Sequence, residues 1–136
     1  MATQRSTPRA ELRAFCEQLR RVRIRPERIL LFGSWARGQQ REDSDIDVIV
    51  VSDDFAGIGL RRRLEMLGIA AGRAWVSVQA LGYTPEELAA PEETSFLAIV
   101  LAQKTVEVPV PRARPTRKAR LLPSTRGVMR TNGLRR

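Results

Sequence analysis

Apolar residues recur at helical spacing at Leu12, Phe15, Cys16, Leu19 and Val22. Thr7-Pro8 in front of them predicts an N-cap with proline at the first helical position, and Pro26 bars continuation. The run Arg28 to Phe32 predicts a short buried strand, closed by Gly33-Ser34. A brief helical turn through Trp35, Ala36 and Arg37 follows, then Gly38 and a polar loop reaching Asp43. Asp45 to Val51 is the clearest strand, because Ile46, Val48 and Val50 take one face while Asp45 and Asp47 take the other. Leu60, Leu64, Leu67 and Ala71 mark a second long helix, and Ala74 to Leu81 alternates as a third strand. Thr84-Pro85-Glu86-Glu87 has the form of a capping box. A helix around Glu92 to Gln103 and a strand near Thr105 to Val108 complete the pattern. The order α-β-α-β-α-β-α-α-β predicts an α+β fold, a small mixed β-sheet flanked by helices.

Composition narrows the chemistry. At 136 residues there is room for one domain and little more. The absence of histidine removes imidazole as base or zinc ligand and leaves carboxylates as acid–base groups. A single cysteine, Cys16, on an apolar helical face reads as a buried thiol and rules out a disulfide framework. The longest apolar run, Phe96 to Ala102, is too short to span a bilayer, and the expectation is a soluble, cytoplasmic protein with no membrane partner. The net charge of +9 is localised: residues 109–136 hold nine cations and no acid, so the fifteen cations of residues 1–108 balance the fifteen acids there. We therefore divide the chain into a domain over 1–108 and a disordered, arginine-rich C-terminal tail over 109–136. Such a tail can bind nucleic acid by releasing counterions, although it carries no aromatic residue for base stacking; a solvated appendage is the plainer reading.

Two features between residues 32 and 51 carry chemistry. A strand delivers Gly33-Ser34 to a helix start, where free N–H groups favour a phosphate and the Ser34 hydroxyl is a further donor. A glycine-serine turn that only caps a helix is the ordinary alternative. Asp45 and Asp47, two apart on a strand, project the same way roughly 6.6 Å apart. Bound Mg²⁺ would relieve their repulsion; acids guarding an exposed sheet edge would produce the same pattern. Together, a phosphate cradle and a paired-carboxylate metal site are the minimum for metal-assisted nucleotidyl transfer.

Leu31-Phe32-Gly33-Ser34-Trp35-Ala36-Arg37-Gly38, followed by Ser44-Asp45-Ile46-Asp47-Val48-Ile49-Val50-Val51, closely resembles the signature of minimal nucleotidyltransferase domains of the DNA polymerase beta-like superfamily. The pattern there is G-S-x-x-x-G, a short loop, then S-D-x-D and apolar residues. The wider resemblance covers about residues 10–108. It implies that Gly33 and Ser34 hold the nucleotide's β- and γ-phosphates, that Asp45 and Asp47 bind Mg²⁺ as catalytic metal ligands, that Gly38 shapes the loop and that Ser44 positions the strand. The activity implied is in-line transfer of an NMP group, AMP foremost, from an NTP to a protein or small acceptor. The family's third carboxylate falls here on Ser77 or Gln79, according to register, and neither is acidic. The two-metal site is therefore expected to be incomplete, and a degenerate nucleotide- or partner-binding module is the alternative to an enzyme. A nucleic-acid-associated protein working through its tail is a further alternative. The resemblance also implies an acceptor brought from outside, by a homodimer or by a small helical partner protein as in toxin–antitoxin pairs.

Other residues are weighed on charge and burial. Arg37 and Arg41 flank the phosphate turn as triphosphate clamps or solvated loop arginines. Arg61-Arg62-Arg63 open a helix, where the macrodipole disfavours cations, and pairing with Asp53 and Asp54 is expected to hold them. Trp35 and Trp75 are expected in the core rather than against a base, and Glu86 and Glu87 are expected to face solvent.

Overall fold

A computed structural model describes residues 7–92 and 95–112. Its strands are Arg28–Phe32 (β1), Ile46–Val51 (β2), Val78–Tyr83 (β3) and Val106–Val108 (β4). Its helices are Arg9–Arg21 (α1), Gly33–Arg37 (α2), Leu60–Ala74 (α3), Pro85–Ala89 (α4) and Phe96–Leu101 (α5), with a 3-10 turn at Asp53–Phe55. The strands form one sheet in the order β3-β2-β1-β4. β1 runs antiparallel to β2 and β4, whereas β2 and β3 are parallel, joined through α3. The α+β class and the mixed sheet are as the sequence predicts.

Period-two alternation divides the core between the two faces of this sheet. On one face Ile29, Leu31, Ile46, Val48 and Val50 pack with Leu12, Phe15, Cys16 and Leu19 of α1 and Leu67, Ala70 and Ala71 of α3. Apolar burial pushes the Cys16 thiol up to about 11, in keeping with an inert packing residue. On the other face Leu30, Ile49 and Val51 are covered by Leu97 and Val100 of the short α5. Because α5 covers only part of this second face, the end of β2 nearest Asp45 is left open.

Several boundaries differ from the expected ones for local reasons. α1 begins at Arg9 with Pro8 at its cap position, and the Thr7 side chain makes no capping bond. It closes through Arg23 at φ 72°, whose conformation lets the Ile24 N–H reach the Leu19 carbonyl at 2.9 Å. α3 runs on through Ala74 and ends with Trp75 in the left-handed region, so β3 starts at Val78 rather than Ala74. The buried stripe of α3 is Arg63, Leu67, Ala70 and Ala71, while Leu60 and Leu64 are more than half exposed. α5 is shorter than the 92–103 helix expected, starting only where Ser95 caps Ala98 N–H. Val110 packs on the first core cluster and the Pro111 carbonyl accepts from Arg20. Residues 113–136, the bulk of the expected tail, lie outside the described residues. Among the described residues no helix is long and apolar enough to cross a membrane.

One polar element is built into the packing. Arg63 is 5% exposed and donates to the carbonyls of Ile58 and Gly82 and, from both terminal nitrogens, to the Glu87 carboxylate at 2.6 and 3.1 Å. Glu87 also closes the expected capping box with Thr84 at the start of α4. Arg63 thereby ties α3, β3 and α4 together, and its guanidinium lies over the Phe55 ring at 5.5 Å. Glu87 is thus an ion-pair partner rather than the solvent-facing acid expected. The pairing of Arg61–Arg63 with Asp53 and Asp54 does not occur either: Arg61 and Arg62 meet Glu65, and Asp54 is held by Arg25.

Hydrogen bonding to Arg63 holds the Glu87 carboxyl below its usual 4.5. A lowered folded value means the pair stabilises the fold above the unfolded value and that this is lost as pH falls through the folded one. Glu87→Gln leaves the buried guanidinium without its counter-charge, and with Glu87 partly exposed the expected cost at pH 7 is about 1–2 kcal/mol. Urea unfolding of both proteins should show that difference at pH 7 and its progressive closure below about pH 4.

Candidate active site

The polar cluster forms where β1 ends and β2 begins. Phe32 is paired with Asp47 across the β1–β2 ladder, so the turn after β1 lies directly beside Asp47. That turn opens with Gly33 at φ 66°, and a Cβ there would collide with Asp47 Oδ2. Glycine is needed twice at this position, for the left-handed backbone and for the approach of the carboxylate. The single-turn α2 follows, with Ser34 partly exposed in its first turn and Gly38 closing it at φ 71°. The Gln39 N–H returns to the Ser34 carbonyl at 2.9 Å. A second tight turn delivers the chain to β2: Ser44 N–H donates to the Arg41 carbonyl at 3.0 Å and its Oγ accepts from the Arg41 N–H at 2.7 Å. Ser44 thus closes the turn that leads into the strand.

Asp45 and Asp47 sit on the same face, and Ile46, Val48 and Val50 are buried on the other. Strand β2 proper begins at Ile46, with Asp45 just ahead of it, but the Ile46 N–H donates to the Ser77 carbonyl and carries the β3 pairing to the first acid. Partial burial and the negative charge of Asp45 raise the Asp47 carboxyl above its usual range, while the nearby Arg37 guanidinium pulls it back. Arg37 itself donates to Gln39 Oε1 at 3.2 Å. Among the described residues no group donates a hydrogen bond to the Asp47 carboxylate.

In the β2–β3 register Gln79 lies across from Asp47, and both Ser77 and Gln79 reach Asp45. Ser77 Oγ donates to Asp45 Oδ1, and Gln79 Nε2 donates to Oδ2 at 2.9 Å. Each Asp45 oxygen thus accepts one hydrogen bond and retains lone-pair capacity. Two carboxylates on one face, one oriented by neutral donors and one without a donor, suit a hard divalent cation that shares its shell with phosphate oxygens. Among the described residues no group of three or more His, Cys, Asp or Glu side chains comes together to hold a metal.

Beside the acids lies a cavity of about 330 Å³ lined by Phe32, Asp47, Leu64, Gln79, Leu81 and Phe96 among others. Sequence reasoning missed it, since its walls come from the exposed Leu64 side of α3 and from α5, two helices far apart in the chain. Of the two tryptophans, Trp35 packs half-buried on the core while Trp75 is 93% exposed. Trp75 lies outside the core because it is the left-handed residue that ends α3.

Comparison with known proteins agrees with the motif. Residues 9–95 match the nucleotidyltransferase domain family. A stretch of 33 residues is 52% identical to a Methanocaldococcus jannaschii protein provisionally named a protein adenylyltransferase; it represents 24% of this chain and spans only about a third (33%) of that relative. A solved structure provisionally named a nucleotidyltransferase, from Sulfolobus solfataricus, covers 58% of this chain and 74% of its own at 20% identity and a TM-score of 0.37. A toxin–antitoxin structure with AMP-PNP covers 79% of this chain and 76% of its own at 21% identity and a TM-score of 0.46.

The two left-handed glycines separate backbone strain from collision. Gly38→Ala meets nothing within 4 Å, so only its φ of 71° is penalised, by about 1 kcal/mol. Gly33→Ala adds the clash with Asp47 and is expected to cost at least about 1 kcal/mol more. Thermal unfolding of the two variants in parallel measures the difference.

Proposed function

The chain belongs to the nucleotidyltransferase domain family, and from that footing we propose that it transfers a nucleoside monophosphate, AMP foremost, from a nucleoside triphosphate to a hydroxyl of a protein or small acceptor. The observation that supports this most is the placement of Asp45 and Asp47 on one face of β2 beside the turn opened by Gly33. In this reading Gly33, Ser34 and the first turn of α2 receive the β- and γ-phosphates through backbone N–H groups and the Ser34 hydroxyl. Gly38 and Ser44 shape the loop that returns the chain to the acids, and Arg37 adds positive charge beside Asp47. Asp45 and Asp47 would hold the divalent cation, which when bound supplies charge neutralisation at the phosphates and lowers the pKa of an acceptor hydroxyl. The acceptor oxygen forms its bond to the α-phosphorus in line with the bond to the α–β bridging oxygen, which breaks; the acceptor's proton passes to water and pyrophosphate leaves with the bridging oxygen. The largely apolar cavity at Phe32, Leu64, Leu81 and Phe96, which Asp47 also lines, offers space for the acceptor beside the acids.

A protein acceptor is favoured by the relative provisionally named a protein adenylyltransferase. The acceptor would arrive with a partner, either a second copy or a small helical protein that the chain modifies as an antitoxin-type subunit. A second reading, a module that binds nucleotide or partner without turnover, is favoured by the neutral Gln79 opposite Asp47.

Calorimetric titration with a non-hydrolysable ATP analogue tests the proposal. Binding is expected to require Mg²⁺, and Asp45→Ala is expected to weaken it by about tenfold or more. Absence of nucleotide binding by the unsubstituted protein would sink the enzyme reading. Binding without AMP transfer to any protein of the native host would favour the module.

A further inference from the structure

Every described residue with a left-handed backbone is a glycine except Arg23 and Trp75. Trp75 ends α3 at φ 58°, with its N–H on the Gly72 carbonyl and the Val76 N–H on the Ala71 carbonyl, each at 3.2 Å. Glycine is the customary residue at this point of a helix, and a side chain there is strained. Packing gives nothing in return, because Trp75 is 93% exposed. The fold therefore bears a backbone cost and a solvation cost for one indole, and strain that the core does not use marks a residue held for a ligand.

The sheet says which ligand. The acids stand at the end where β1 finishes and β2 and β3 begin, and the strands there run β1, β2, β3. The Gly33 turn follows β1, Asp45 and Asp47 belong to the start of β2, and Ser77, whose hydroxyl donates to Asp45, leads into β3. Trp75 is two residues before Ser77, so their Cα atoms are at most about 7 Å apart. Val76 between them packs on the first core cluster, which fixes the turn that carries the indole. A triphosphate with its β- and γ-phosphates on the Gly33 turn and its α-phosphate at the acids extends its nucleoside away from β1, toward the side where Trp75 stands.

Resting on the nucleotidyltransferase reading for the triphosphate, we propose that Trp75 is the stacking platform for the nucleobase. A helical residue leans back over the preceding turn, whereas the left-handed backbone of Trp75 leaves its indole clear of α3 and β3. An indole face accepts any flat ring, so the contact selects for the presence of a base more than for its identity. Phe32 and Phe96, which line the cavity beside Asp47, are the competing aromatic surface. A base seated there would be indifferent to Trp75.

The test needs no turnover. The full chain and its variants are titrated calorimetrically in Mg²⁺ with two probes, a non-hydrolysable ATP analogue and inorganic tripolyphosphate, which carries phosphates without a base. Trp75→Gly is expected to weaken the analogue about tenfold or more and to leave tripolyphosphate within about threefold. Trp75→Phe keeps a ring face and is expected to bind the analogue within about threefold of the unsubstituted protein. Because Trp75→Gly also relieves the strained backbone, its thermal unfolding midpoint is expected not to fall, and to rise by up to about 4 °C. If Trp75→Gly fails to fold, Trp75→Asn, whose residue also tolerates the left-handed region, is expected to give the same two binding results. Four results would overturn the inference: analogue affinity unchanged in Trp75→Gly, tripolyphosphate weakened as much as the analogue, Trp75→Phe as weak as Trp75→Gly, or a lowered midpoint in Trp75→Gly. Analogue affinity that ignores Trp75 removes this inference alone, whereas an unsubstituted protein that binds neither probe removes the nucleotidyltransferase reading and the inference with it.

Discussion

Strand β2 is under two demands that conflict. It is the interior strand between β1 and β3, and Val48 to Val51 are wholly buried, so its length must satisfy two apolar faces. Its first turn of pleat, on the same face as Ile49 and Val51, instead carries two acids within reach of each other. The arrangement works because the cover on that face is incomplete. α5 spans six residues and shields Ile49 and Val51, leaving Asp45 and Asp47 at an open margin where water and ligand charge can reach them. The alternation that buries Ile46, Val48 and Val50 is the same alternation that lines up the two carboxylates, so no substitution can shift the acids without turning the strand's apolar side outward.

Carboxylates held together oppose folding, and compensation comes from features at some distance. The Arg63 guanidinium ties α3 to β3 and α4 through carbonyls and Glu87, and the capping box at Thr84 fixes the start of α4. The α1 face, with Phe15, Cys16 and Leu19 fully buried, supplies apolar contact remote from the acids. The larger core cluster thus lies on the face opposite the acids, and on the acids' own face the Ser77 and Gln79 donors and the nearby Arg37 moderate their repulsion.

Much of this was legible in the chain. The strands at 28–32 and 46–51 declare themselves through apolar runs, interrupted in the second only by Asp47, bounded by glycine and polar loops, and the Thr84–Glu87 cap through side-chain chemistry within four residues. The paired acids and the Gly33-Ser34 turn were legible because each lies within a few residues and its spacing is imposed by backbone geometry. What escaped depended on contacts between distant segments. The alternation from Ala74 read as strand because Trp75 gives no local sign that it will close a helix in the left-handed region. Arg63 read as one of three cations paired with Asp53 and Asp54 because its actual acceptors, the Gly82 carbonyl and the Glu87 carboxylate, belong to the next two elements. Ser77 and Gln79 read as an absence of acid, and only the β2–β3 register shows them as a presence of donors.

The sheet order also has a kinetic meaning. β1 and β2 meet across a short connection, so their pairing requires closing only a modest loop. β3 must wait for α3 to form and dock before its parallel ladder with β2 can close. β4, by contrast, returns to the free edge of β1 from near the far end of the domain, pairing Leu31 with Val106. On a chain emerging from the ribosome, the acids of β2 are therefore synthesised before the hydroxyl and amide that orient them, and the strand that pairs with the outer edge of β1 is synthesised after both. Neither the site nor the sheet can be completed until segments well beyond β2 are available, a constraint set by where those segments lie along the chain.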